Sequence, residues 1–173
     1  MIRLAQPEDI DAVEDIYNLI HDEEENGNMQ IGWLRNVYPV RNTALDALKR
    51  RDLFVEEVSG NIVASAIINQ LQVPEYADCK WENQVPDENI MVLHTLTVSP
   101  KIKGNGYGKA FVEFYENYAR KHGCSYLRMD TQSKNIFARK FYNKLGYSEP
   151  GVVYCVFNGI PNVELVCLEK KLP

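Results

Sequence analysis

Ile90-Met91-Val92-Leu93-His94-Thr95-Leu96-Thr97-Val98 runs, after a short gap, into Lys103-Gly104-Asn105-Gly106-Tyr107-Gly108-Lys109, and this junction decides the fold. The first stretch is nearly continuously apolar, the pattern of a central strand covered on both faces. After the glycines, Tyr107, Phe111, Phe114, Tyr115 and Tyr118 recur at helical spacing up to His122-Gly123, where glycine stops a helix. Three glycines in five residues let a backbone fold tightly with its N–H groups turned inward. Those groups, a helix N-terminus, Lys103 and Lys109 together suit a pyrophosphate. The same stretch also reads as a glycine-rich turn that binds nothing. A dinucleotide-binding domain is a further alternative, with Asp130 near the position of a ribose-binding acid. Its G-x-G-x-x-G spacing fails, because the last required position is Lys109. The motif also lies past mid-chain behind a hairpin, not in an early strand–helix–strand unit.

Outward from this junction, the rest of the chain falls into short alternating elements. Residues 2–4 read as a strand, and Pro7 opens a helix with Glu8 and Asp9 in its first turn. Ile10, Val13, Ile16, Tyr17 and Ile20 form that helix's buried stripe. Thr43-Ala44-Leu45-Asp46 reads as a capping box for a short second helix. Residues 53–58 and 62–69 read as strands joined by Ser59-Gly60-Asn61, followed by an irregular stretch over 74–86. Residues 126–129 form a strand. Ala138, Phe141, Tyr142 and Leu145 mark a helix stopped by Gly146, and two last strands surround the Asn158-Gly159 turn. The order β-α-α-β-β-β-α-β-α-β-β predicts a mixed-sheet α/β architecture.

At 173 residues, 45% hydrophobic and 25% charged, the sequence is sized for a single domain over 1–173 with a real core. It is too apolar for a disordered chain. No apolar run approaches the ~20 residues of a membrane span, and the opening Met1-Ile2-Arg3-Leu4-Ala5-Gln6-Pro7-Glu8 lacks a signal-like stretch. The expectation is a cytoplasmic protein with no membrane partner. The net charge of −5 hides an asymmetry: residues 1–30 carry a net −8, residues 99–145 a net +7. A basic segment on an acidic protein points to a local anionic ligand, not to a nucleic-acid partner. Cys79, Cys124, Cys155 and Cys167 lack metal-site spacing, as do His21, His94 and His122, so no metal is expected. Cys155 and Cys167 flank the turn Asn158-Gly159-Ile160-Pro161-Asn162 at similar distances and could face each other across a hairpin as buried free thiols.

Two motifs carry a family resemblance. Lys103-Gly104-Asn105-Gly106-Tyr107-Gly108 resembles the R/Q-x-x-G-x-G/A signature of the GNAT superfamily of acetyl-CoA-dependent N-acetyltransferases, with Lys in the first position. Leu96-Thr97-Val98-Ser99-Pro100 is similar to the family's preceding strand end. Asn135-Ile136-Phe137-Ala138-Arg139-Lys140-Phe141-Tyr142-Asn143-Lys144-Leu145-Gly146-Tyr147 resembles its second signature, N-x-x-A-x-x-F-Y-x-x-L-G-F/Y. The resemblance implies an α/β (α+β) fold, a mixed and mostly antiparallel sheet with splayed central strands flanked by helices. It implies acetyl-CoA, or coenzyme A, as cofactor. The backbone around Leu96, Thr97 and Val98 would pair with the pantetheine arm, and Lys103, Gly104, Asn105, Gly106, Tyr107, Gly108 and Lys109 would hold the pyrophosphate. Asn135, Ala138, Phe141, Tyr142 and Lys144 would line the cofactor's path.

The resemblance also implies that Tyr142 protonates the departing thiolate of coenzyme A. A phenol of pKa ~10 can donate to a thiolate whose conjugate acid lies near ~8.5 only when the site couples the transfer. Loss of Tyr142 should therefore slow the reaction without abolishing it. The acceptor amine must first lose a proton. A lysine-like amine of pKa ~10.4 sits ~3.4 units above pH 7, a cost of ~4.6 kcal/mol. His94, or a water chain, would serve as base, and an imidazole near ~6.5 is mostly neutral at pH 7. The acceptor site falls to the N-terminal half and the central strand: Glu23 in the acidic run, Trp33, Tyr38 and Thr95. The partner is a small-molecule or peptide amine, the acidic segment leaning towards a cation, and a homodimer is compatible with the last hairpin. A non-catalytic coenzyme-A-binding regulatory module on the same fold is the alternative reading, against which Tyr142 and Asn135 argue.

Overall fold

Two left-handed dipeptides, Ser59-Gly60 (φ 50° and 78°) and Asn158-Gly159 (φ 51° and 79°), close the two tight hairpins of the sheet. Paired positive φ angles match the right-handed twist of the flanking strands, which is why such turns recur in two-residue hairpins. The computed structural model describes residues 1–173. Its elements run β1 (Ile2–Leu4), α1 (Ile10–Glu25), α2 (Arg41–Arg50), β2 (Leu53–Val58), β3 (Asn61–Asn69), β4 (Ile90–Val98), α3 (Tyr107–Lys121), β5 (Tyr126–Gln132), α4 (Ile136–Lys144), β6 (Ser148–Phe157) and β7 (Ile160–Lys171). This is the order the sequence predicts. The strands form one seven-stranded sheet, β1-β2-β3-β4-β5-β7-β6, in which only β4 and β5 are parallel neighbours.

The sheet is covered on both faces. Phe111, Val112, Tyr115 and Ala119 of α3 pack with Tyr142 of α4 over Ala66, Met91, Leu93 and Met129 on one face. Val13 and Tyr17 of α1 and Ala44 and Ala47 of α2 cover Leu53, Val55 and Ile67 on the other. Beyond them, Tyr76 and Trp81 of the irregular stretch cover Val92, Val153, Leu165 and Cys167. No helix is long and apolar enough to cross a membrane.

Two local expectations are corrected. Thr43 is not an N-cap: α2 begins at Arg41, immediately after Val40, so Thr43 is its third residue and its Oγ1 accepts the Val40 N–H at 3.1 Å. Cys155 and Cys167 do not face each other, since the hairpin closes at Phe157↔Ile160 and pairs Cys155 with Val163 and Cys167 with Gly151. All four thiols are free.

The decisive feature is where the parallel pair ends. β4 and β5 are paired at Ile90↔Tyr126, Met91↔Leu127 and Val92↔Arg128, and no further. β4 then continues with β3 as far as Val98↔Ala64, while β5 continues with β7 as far as Gln132↔Leu165. The two strands therefore part in mid-sheet. A bulge drives the parting, because between Ile67↔His94 and Ser65↔Thr97 the strand β4 has one residue more than β3. Thr95 sits in that bulge at φ 50°, a left-handed conformation that costs a β-branched residue about 1–3 kcal/mol. A hydrogen bond between the Tyr38 and Thr95 hydroxyls holds it there. Bulges bend the strand that contains them.

At the root of the split, Arg128 and Glu169 are both buried and joined at 3.1 Å. Arg128 also donates to Gln72 Oε1 at 2.6 Å and the Asn83 carbonyl at 2.9 Å, and stacks 4.0 Å over the Trp81 ring. Glu169 accepts from Asn83 Nδ2 at 2.9 Å. Breaking a buried pair leaves an uncompensated charge. Glu169→Ala should cost about 3–5 kcal/mol in urea unfolding, and a loss under about 1 kcal/mol would contradict the clamp.

Candidate active site

The parted strands enclose a cavity of about 150 Å³. Leu93, His94, Thr95 and Leu96 of β4 form one wall, and Met129, Asp130, Thr131 and Gln132 of β5 the other. Asn135, Ala138 and Tyr142 of α4 close it on one side, and Trp33 and Tyr38 close it on the other, with Phe157 at the last hairpin.

At the open end of β4 the glycine loop turns into α3. Gly104 and Gly106 have φ of 85° and 81°, and Gly106 is the N-cap with no side chain capping the helix. The first N–H groups of α3 are thus left for a ligand, at the positive end of the helix dipole. Asn105 steadies the loop by donating to the Ile102 carbonyl at 3.0 Å. Lys103 and Lys109 flank it in exposed ion pairs to Glu23 (3.4 Å) and Glu113 (3.5 Å). Such pairs contribute little, so both lysines can turn to an anion. A Cβ on Gly108 would lie 3.6 Å from Phe141 and 3.8 Å from Val98, which shows how closely the loop approaches α4.

Tyr142 is buried, with its ring against Phe141 and Tyr147. Burial, reinforced by the charge of Asp130, raises its pKa, so its hydroxyl keeps its proton at pH 7. Asn135 caps α4, its Oδ1 accepting the Ala138 N–H at 3.1 Å, and its Nδ2 is left as a donor at the cavity wall. Thr97 contributes only backbone to the split, because its hydroxyl is buried against Ser65 at 2.7 Å. Lys144 is exposed at the end of α4 and lies outside the cavity.

His94 lines the cavity, and its partners set its tautomer. Asn69 Nδ2 donates to Asp52 at 2.8 Å, so Asn69 Oδ1 must accept from His94 Nε2 at 3.0 Å. The lone pair is then on Nδ1. Burial lowers the imidazole pKa to about 4, against a partial pull upward from Asp52. His94 is therefore neutral at pH 7, but a much weaker base than the unperturbed value suggests.

On the acceptor side, Trp33 meets Tyr38 edge-on with ring centroids 6.0 Å apart. Burial pushes the Tyr38 phenol up to about 12. The acidic run has other employment. Glu24 accepts the N–H groups of Ile31 and Gly32 at 2.6 and 2.8 Å, and Arg35 binds Asp22 and Glu25. Glu23 lies outside the cavity on the glycine loop's Lys103. These contacts hold the 26–38 connection over the split, and the acidic run itself lies outside the cavity. Gly32, at φ 92°, is the tightest point, because a Cβ there would overlap the Gln132 side chain that donates to its carbonyl.

Asp130 has a larger part than the sequence reading assigned to it. Its carboxylate reaches the cavity wall and accepts from Tyr76 Oη at 2.7 Å. Burial raises its pKa to about 6, with the Tyr76 hydrogen bond opposing. A carboxyl with a folded-state pKa above its unfolded ~3.9 binds more protons when folded, so its stabilising contribution is lost as pH rises through about 6. Asp130→Asn, which keeps an acceptor for Tyr76, should match the native chain at about pH 3, below the unfolded pKa, where the native carboxyl is protonated in both states. By pH 7.5 it should be more stable by roughly 1–3 kcal/mol. A stability difference that does not change with pH would contradict this.

The sequence model of the acetyltransferase (GNAT) family matches residues 13–147. An uncharacterized N-acetyltransferase of Methanocaldococcus jannaschii is 29% identical over 109 residues, covering 61% of this chain and 44% of that protein. The chain thus spans less than half the length of that curated relative. Its fold is similar to a GNAT-family acetyltransferase from Streptococcus agalactiae, with a TM-score of 0.81 at 24% identity over 100% of this chain and 95% of that one. A Salmonella typhimurium structure containing its cofactor acetyl-CoA gives a TM-score of 0.70 at 16% identity, over 100% and 94% of the two chains. At these identities the structural likeness is one of fold. The family match covers most of the sequence and both of its motifs: this chain belongs to the acetyltransferase (GNAT) family.

Proposed function

We propose that the chain transfers an acetyl group from acetyl-CoA to a primary amine by direct attack within a ternary complex. The observation that carries this reading is the parting of β4 from β5 beyond Val92↔Arg128, with an uncapped helix N-terminus at one end and Tyr142 on its wall. The residues present suit the cofactor. The Gly104–Gly108 backbone and Lys103 and Lys109 offer N–H groups and positive charge for a pyrophosphate. The β5-facing backbone edge of Leu96 and Val98 has lost its sheet partner and can pair with the amides of a pantetheine arm. Asn135 Nδ2, Ala138 and Phe141 would wall the same path.

When bound, acetyl-CoA supplies an acetyl group activated as a thioester. Tyr142 keeps the proton on its Oη until a thiolate develops beside it. Burial disfavours both charged forms in this cavity, so the thiolate's affinity for the proton rises with the phenol's, and the remaining uphill gap is met by coupling the transfer to cleavage of the carbon–sulfur bond. Backbone N–H groups of the bulged β4 would stabilise negative charge on a carbonyl oxygen. No cysteine is placed as a covalent nucleophile: Cys124 is buried, and burial raises its thiol pKa.

Thermal unfolding with acetyl-CoA, coenzyme A and NAD, combined with thiol-release kinetics, tests the reading. Both coenzyme A species should raise the Tm by several degrees, as for any ligand that binds only the folded state, and NAD should not. Tyr142→Phe should keep that stabilisation and lose about 10²-fold or more in kcat. Stabilisation without turnover towards any amine would favour the regulatory-module alternative. A shift with NAD alone would sink the acetyltransferase reading.

A further inference from the structure

Among the residues lining the cavity, Asp130 is the only one that carries charge at pH 7, and no Lys or Arg lines it. Its Oδ2 is fixed by Tyr76, whose own position is set by Trp81: the indole donates to the Tyr76 carbonyl at 2.9 Å and packs 5.0 Å from its ring. The other carboxylate oxygen has no protein partner among the hydrogen bonds of the chain. Asp130 is half-buried and this oxygen is open to the cavity rather than sealed in the core, so the complement the carboxylate lacks is a positive charge. Trp33, Tyr38 and Phe157 line the same cavity, and aromatic rings favour an ammonium over their faces.

We propose that Asp130 is the acceptor-binding carboxylate, holding the ammonium of a small primary amine that bears no carboxylate beside its nitrogen and taking the proton that the amine sheds before it attacks. This rests on the acetyltransferase reading and supplies its missing acceptor class. The exclusion of α-amino acids follows from charge. Their carboxylate would lie within a few ångströms of Asp130 with no cation in the cavity to answer it, a like-charge contact in a low-dielectric site. The proton count closes. The ammonium gives one proton to Asp130, which releases it to solvent, and the freed lone pair forms the nitrogen–carbon bond as the carbon–sulfur bond breaks. The second nitrogen proton, lost as the amide forms, replaces the one Tyr142 gives to sulfur.

The groups facing Asp130 leave it the best base in the cavity. They are Tyr76 and Glu75 on the 74–78 turn, Tyr38, Tyr142 of α4, and Cys155 and Cys167 of the last hairpin, none of them cationic. Burial raises the Asp130 carboxyl and lowers the His94 imidazole, so the carboxylate is the stronger proton acceptor of the two.

The test compares matched pairs that differ only in the carboxylate, tyramine against tyrosine and isobutylamine against valine. Wild type, Asp130→Asn and His94→Gln are assayed by thiol release from acetyl-CoA, with tyramine binding to the coenzyme A complex measured alongside. The amine of each pair should exceed its amino acid at least tenfold in kcat/KM, with an acidic limb near pH 6. Asp130→Asn should cut amine kcat/KM and tyramine affinity at least 30-fold, erase the limb and shrink the discrimination, while coenzyme A still stabilises the variant. His94→Gln should keep the limb. Equal transfer to both members of each pair, or an unaltered Asp130→Asn profile, overturns the proposal. So does a wild type that binds coenzyme A yet neither binds nor acetylates these amines. Failure to bind coenzyme A at all would instead remove the acetyltransferase reading beneath it.

Discussion

Everything about the site depends on one interruption of backbone pairing. Parallel strands inside a sheet normally satisfy each other along their full length, because unpaired N–H and C=O groups withdrawn from water are costly. Here β4 and β5 abandon each other after Val92↔Arg128. The bulge at Thr95 turns β4 aside, and the Tyr38 hydroxyl holds the strained threonine in place. The Arg128–Glu169 pair sits where the strands still touch, binding β5 to β7 and pinning residues 72–83 across the sheet. One strand edge is thereby left open beside a cavity, and the protein's chemistry is concentrated there.

Burial then sorts the titratable groups around that opening. The same desolvation raises Tyr142 and Asp130 and lowers His94. A proton donor, a weak neutral imidazole and a carboxyl poised near physiological pH result from one physical cause acting on three kinds of side chain. Opposite them lies the glycine loop, where an uncapped helix terminus and two loosely paired lysines collect positive potential. The two ends of the split thus differ in polarity: the helix N-terminus suits an anion, and the Asp130 end suits a cation.

Local patterning made the fold legible. The apolar run of β4, the stripe Ile10, Val13, Ile16, Tyr17 and Ile20, and the glycine turns are short-range signals, and they predicted every strand and helix in order. The cofactor-side residues could be placed because they sit at fixed offsets within two motifs. Failures occurred where long-range partners decide. The acidic run suggests Glu23 for the amine side, whereas the fold places it outside the cavity, beside Lys103 eighty positions away in sequence. Thr43 was read as a cap, yet the helix start is fixed upstream at Arg41. The pairing of Cys155 with Cys167 failed because the turn closes on two residues. Asp130 is visible in the sequence as a strand-ending acid, but its surroundings in the cavity come from Trp33 and Tyr38 of the 26–38 connection and Phe157 of the last hairpin, two segments distant from it in the chain.

The most direct test of the account is a backbone amide NMR titration of the isotope-labelled chain with coenzyme A. Shift changes should concentrate on residues 93–98 of β4, the 103–109 loop and the first two turns of α4, leaving β1, β2 and the outer face of α2 unmoved. Binding that instead moves the α1–α2 surface, or that spares 93–98 and 103–109, would contradict the claim that the opening between β4 and β5 is the cofactor cleft.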